Sequence, residues 1–179
     1  MAPGEGVEAL IDEGDSALEA GEYGRALESF ERALGADPEH WGAALGRIES
    51  LEMLWRTDEA IRAVRALRPA DSNQDDPERA ELEARILEAR GDFVEADRLF
   101  ALAHELEPRE FPLPVRMAEA DFRAILDKVL DSLPEVIRGA VLQVPVLVEP
   151  KPSAAIAERA PHITPEVLGL FVGTTTDSI

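Results

Sequence analysis

The chain contains no cysteine. That excludes disulfides, zinc–thiolate sites, iron–sulfur clusters and thiol catalysis. Positive charge is also scarce: 18 Lys+Arg stand against 37 Asp+Glu over 179 residues, a formal net charge of −19. Phosphate contacts need clustered Lys and Arg, so neither nucleic acid nor an anionic membrane surface is an expected partner. No apolar run approaches the ~18 residues of a membrane span. The opening stretch, MAPGEGVEALIDEGD, lacks the basic start and apolar core of a secretion signal, and a cytoplasmic location is expected. Gly-x-Gly-x-x-Gly and Walker-type phosphate loops are missing, and neither Ser132 nor Ser153 sits in a Gly-x-Ser-x-Gly elbow.

The charge is unevenly spread. Residues 111–179 hold six Lys+Arg and nine Asp+Glu, a net of −3, and residues 1–110 hold the other 12 and 28, a net of −16. Both lysines, Lys128 and Lys151, fall in the second part. Phe111-Pro112-Leu113-Pro114 stands at the change in composition, which places a boundary between blocks 1–110 and 111–179.

The first block repeats itself. Gly21, Tyr23, Ala26, Phe30, Ala33 and Pro38 recur 70 residues later as Gly91, Phe93, Ala96, Phe100, Ala103 and Pro108. This is about two units of a ~34-residue period. A degenerate middle copy places Ala60, Val64 and Leu67 where the first has Ala26, Phe30 and Ala33, and the insert 70–76 restores the register. Helices are expected near 6–20, 23–36, 40–54, 57–68, 77–90 and 93–106. Gly21 and Gly91 end a first helix in the left-handed conformation that glycine adopts most cheaply. Ala26 and Ala96 let the second helix approach, Phe30 and Phe100 fill the space between, and Pro38 and Pro108 stop the second helix.

Over residues 5–109 these positions resemble the tetratricopeptide (TPR) repeat. The resemblance implies a solenoid of helical hairpins whose concave groove holds a protein or peptide. It also implies that the first helix of each repeat lines that groove. Those positions are Glu8, Ile11, Asp15 and Leu18 in the first copy, and Glu78, Glu81, Arg85 and Glu88 in the third. One TPR subclass grips acidic C-terminal tails with lysines and asparagines. Ile11 and Asp15 stand where that clamp has Lys and Asn, so an acidic tail is not expected here and a basic segment suits the groove by sign. The plainer reading is that acidic helix faces keep the protein soluble.

In the second block, Val115, Phe122, Ile125, Leu126, Val129, Leu130 and Leu133 recur at helical spacing over 115–133. This helix either caps the stack or opens the second block. Leu133-Pro134-Glu135 and a short helical turn through Val136-Ile137-Arg138 follow. Leu142, Val144, Val146 and Val148 then alternate, which predicts a strand over 141–149, with Pro145 favouring an edge position. Leu168-Gly169-Leu170-Phe171-Val172-Gly173 comes later. The order over 120–173 resembles the opening of a bacterial minimal zincin-like metallopeptidase family.

That family's chemistry lies on a helix carrying His-Glu-x-x-His, in which two histidines hold Zn²⁺ and the Glu acts as general base. The sequence ends at Ile179 before any such helix, so no catalytic or metal-binding residue carries over. The chain as it stands is expected to hold no zinc or other cofactor and to be inactive as a peptidase. His104-Glu105 is no substitute, because Pro108 stands where the second histidine belongs. His40 reads as a helix-start residue and His162 as a loop residue.

The expected fold is therefore mostly α: a TPR-type solenoid, then a small α+β segment with one or two strands. Two functions remain open. One is an interaction module fused to a catalytically incomplete zincin-like segment. The other is the front portion of a TPR-containing zinc metallopeptidase whose zinc-binding helix lies beyond residue 179. An uncovered strand at 141–149 is expected to pair with another chain, giving self-association.

Overall fold

The computed structural model describes residues 3–67, 76–144, 147–149, 152, 155 and 163–167. Eight helices occur among them: α1 (Pro3–Glu19), α2 (Tyr23–Ala36), α3 (Trp41–Met53), α4 (Thr57–Ala66), α5 (Pro77–Arg90), α6 (Phe93–Leu106), α7 (Glu119–Ser132) and α8 (Glu135–Val141). The chain divides into two compact units. Residues 1–112 and 152–179 make the first, and residues 113–151 make the second.

In the first unit each of the six helices packs on its neighbours in sequence, and α1 also reaches α3. This is a run of hairpins with the bounds expected from the repeat, to within about three residues. Apolar spacing at three and four drives it. Val7, Ile11 and Ala17 of α1 pack with Ala26, Phe30 and Ala33 of α2 and Ala43 of α3. A second cluster runs on from Leu27 of α2 through Ile48, Leu51, Ile61, Val64, Ile86 and Leu87 to Leu99 and Phe100 of α6. Ala26 and Ala96 are fully buried, as close helix approach requires. Phe30 is fully buried between two glycines of other helices. A Cβ on Gly14 of α1 would stand 2.6 Å from its ring, and one on Gly46 of α3 would stand 2.3 Å away.

The hairpin turns share one hydrogen-bond pattern. Gly21 N donates to Leu18 O and Glu22 N to Ala17 O; Gly91 N donates to Glu88 O and Asp92 N to Leu87 O. Both glycines have positive φ, +73° and +92°. The same paired bonds close α3, where Trp55 N donates to Glu52 O and Arg56 N to Leu51 O. Here the left-handed residue is a tryptophan, with φ 60°. For an L side chain this costs about 1–2 kcal/mol. Two helix starts, those of α3 and α5, are fixed by side chains. His40 Nδ1 accepts from Ala43 N at 3.3 Å, and Asp76 Oδ1 accepts from Arg79 N at 3.2 Å with Pro77 following.

The second unit corrects the expected strand. Val141 ends α8; Val144 N donates to Val141 O in the following turn, and residues 147–149 are not in a strand. No strand occurs among the described residues. Alternation defines a strand only where a neighbouring strand offers hydrogen bonds. Local bonds satisfy this backbone instead, with Gln143 N donating to Ala140 O. The edge expected to drive self-association is thus not formed at 141–144 or 147–149. Residues 70–75, Pro145, Val146, His162 and 168–173 lie outside the described residues.

Candidate functional site

The groove positions of the first copy divide by burial. Glu8 is exposed, with Oε1 3.5 Å from His40 Nε2. Ile11 is buried in the α1–α3 core and Leu18 packs against it, while Asp15 is exposed. Those of the third copy lie along α5. Arg85 reaches Glu52 of α3, Nη2 to Oε2, at 3.5 Å, and Glu88 is half-buried. Glu78 and Glu81 meet at a cavity.

That cavity measures about 300 Å³ and lies between the first helices of the second and third repeats. Trp41 and Leu45 of α3, Leu82 of α5, Leu67 at the end of α4, and Phe111 make its apolar wall. Glu78, Arg79 and Glu81 make its polar side. Four of the lining residues have a local reason for their place. The His40 cap starts α3 at Trp41, which remains 37% exposed. The Asp76 cap and Pro77 start α5, so Glu78 and Arg79 fall in its first turn. His104 Nδ1 lies 2.9 Å from Phe111 O, and Phe111 N donates to Glu107 O, which hold the chain after α6 in a turn. His104 thus helps to hold the turn after α6.

Two polar groups give the cavity its character. Burial lifts the Glu81 carboxyl above the usual carboxylate range, against the pull of Arg85. The Arg79 Nε–H is buried and finds no acceptor among the described residues. A buried donor left unmet costs about 1–3 kcal/mol. The volume stands at the small end of the range of about 300–1,000 Å³ for ligand clefts. It has room for an anchoring side chain rather than a large cofactor. Among the described residues, no group of three or more His, Asp and Glu side chains could hold a metal ion. No described helix is long and apolar enough to cross a membrane.

A family of known sequence matches here. Residues 11–77 match the tetratricopeptide repeat family. No curated protein matches the chain. The matched span covers most of the first repeat and the whole of the degenerate second. The hairpin α5–α6 begins at the last matched residue and repeats the geometry of α1–α2, with Gly91, Ala96, Phe100 and Ala103 in the places of Gly21, Ala26, Phe30 and Ala33.

The repeat pattern puts Glu78 and Glu81 along the expected groove and marks none of Trp41, Arg79 and Phe111 as a groove residue. Trp41 follows the helix-start histidine and Phe111 sits in the Pro-flanked boundary, so each carried a signal of another kind. Nothing local marks Arg79, whose unmet donor is a property of the packed arrangement.

Proposed function

We propose that residues 1–110 form a protein-interaction module that takes a peptide segment on the face built by α1, α3 and α5. The cavity between α3 and α5 supports this reading best, because it joins an apolar wall to two carboxylates. An apolar side chain of the partner enters against Trp41, Leu45, Leu82 and Phe111. A flanking Lys or Arg pairs with Glu78 and Glu81, at the entrance where charge complementarity steers association. The basic preference also follows from the net charge of −16 on residues 1–110. A cytoplasmic setting suits a cysteine-free chain of this composition.

The other reading, the front of a zinc metallopeptidase, draws no support from the described part of residues 120–173. The strand it requires is replaced there by a helix end and a turn, and residues 168–173 lie outside the described set. The proposal therefore rests on the repeats alone.

The test is a peptide library in which one Leu, Ile or Phe is flanked by Lys or Arg. Binding is read by Trp41 fluorescence in a Trp55→Phe background. Tight members are expected to lose about tenfold or more in affinity on Glu78→Lys with Glu81→Lys, and to weaken as salt rises. Loss on Leu82→Glu as well would place the anchor in the cavity. A library with no binder, or binders indifferent to all three changes, would overturn the reading.

A further inference from the structure

We infer that the turn closing α3 is a docking site for a segment that carries a proline turn, and that its occupant is this chain's own residues 163–167. The starting point is a position where the repeats disagree. Gly21, Trp55 and Gly91 occupy the same place in three successive hairpins, each closing a first helix with the same pair of hydrogen bonds. Two copies use the residue that fits a positive φ. The middle copy places the bulkiest side chain there, in a backbone conformation that such residues rarely adopt. A strained residue of this kind persists where its surroundings hold it and its side chain is put to use.

The use is visible. The Trp55 indole Nε1–H donates to the main-chain carbonyl of Ile163 at 2.8 Å, across 108 residues of chain. Two residues further on, Pro165 is buried. Val167 N donates to Thr164 O at 3.3 Å, which closes a turn with Pro165 and Glu166 at its centre. Proline is well suited to the second position of such a turn. Thr57 Oγ1 donates to Trp55 O at 3.4 Å and ties the strained residue to the start of α4. The indole therefore acts as a pin that recognises a main-chain carbonyl beside a proline turn. After the second unit the chain comes back to the first, and this contact holds it there. The site is separate from the α3–α5 cavity, shares no residue with it, and stands whether or not that cavity binds peptides.

The experiment uses the full chain and two observables. The first is hydrogen exchange of the Trp55 indole N–H by NMR, assigned by its loss in Trp55→Phe. The second is amide exchange of residues 163, 164, 166 and 167. Pro165→Gly leaves every repeat residue intact and should speed indole exchange by about tenfold, the loss expected for one hydrogen bond. Trp55→Gly restores the residue of the other two copies. It should leave the repeats folded while the amides of 163–167 exchange about tenfold faster. Trp55→Phe keeps the ring, removes only the donor, and should show the same amide effect if the glycine variant folds poorly. Indole exchange equal in the wild type and Pro165→Gly, or amide exchange at 163–167 unchanged in both Trp55 variants, would overturn the inference.

Discussion

Phe30 shows how narrowly one side chain can set the spacing of three helices. Its ring lies where a Cβ on Gly14 or on Gly46 would stand, so α1 and α3 both approach α2 at distances only glycine allows. Gly46→Ala would gain up to about 1 kcal/mol of helix propensity. It would also force the ring or the helix aside, at about 1–3 kcal/mol. The clash wins, and urea unfolding should report a net loss. Gly24→Ala is the matching control, since a Cβ there meets nothing within 4 Å; it should gain a few tenths to about 1 kcal/mol. Glu81 belongs to the same scale. Burial raises its carboxyl pKa in the folded state, so the folded protein binds the proton more readily than the unfolded chain does. Stability then falls as pH rises from the usual carboxylate value through the raised one. Glu81→Gln should stabilise the protein at pH 7, and the gain should vanish at pH values below the ordinary carboxylate range. A basic peptide needs the ionised form, so its affinity should drop as pH falls through the raised pKa. The residue signals legible in the sequence were those with a steric cause in one place: glycine at a positive φ, alanine at a close approach, proline after a helix. Trp55 was illegible because it breaks the glycine rule, and its reason lies 108 residues away.

Helices were legible in proportion to how much repeated. The four helices of the first and third copies carry their limits in recurring Gly, Ala, Phe and Pro, and the apolar stripes of all six helices of the first unit have neighbours to bury them. α7 has a stripe of equal clarity in Phe122, Ile125, Leu126, Val129 and Leu130, yet none of its residues is buried. Phe122, Ile125 and Val129 each remain about half exposed. Periodicity states which face is apolar and says nothing of what covers it. The strand reading of 141–149 failed for the same kind of reason, since alternation cannot supply a partner strand. A 14-residue helix with no buried side chain has little beyond its own propensity to hold it. Amide exchange should therefore run about a hundredfold faster or more along α7 than along α6, whose Ala96, Leu99, Phe100 and Ala103 are buried. Equal protection in the two helices would show that another surface covers α7 in solution.

At the scale of the molecule, the acidic surplus acts together with an orderly use of arginine. Arg25 and Arg32 of α2 pair with Glu13 of α1, and Arg47 of α3 pairs with Glu31 of α2. Arg65 of α4 reaches Glu83 of α5 at 2.6 Å, Arg85 of α5 reaches Glu52 of α3, and Arg90 of α5 reaches Asp58 of α4. These six arginines thus lie across helix boundaries, where they offset repulsion between acidic faces. Most of these pairs are exposed on the arginine side, and each exposed pair contributes about 0–1 kcal/mol. Against them stand 28 carboxylates facing 12 cations in residues 1–110, so the surplus is a net −16 that no local pair cancels. Salt weakens both terms over a Debye length of about 8–10 Å near physiological strength. Short pairs in contact are screened less than the many like charges spread over the surface, so relief of repulsion should dominate. Raising NaCl from 10 to 150 mM should stabilise the repeats by about 1 kcal/mol, a rise in melting temperature of about 4–8 °C. Substituting Glu49 and Glu28, two exposed acids without an ion-pair partner among the described residues, by Gln should give a smaller rise at low salt and almost none at 150 mM. A melting temperature that falls with salt would instead mean that the arginine pairs between helices outweigh the repulsion they oppose.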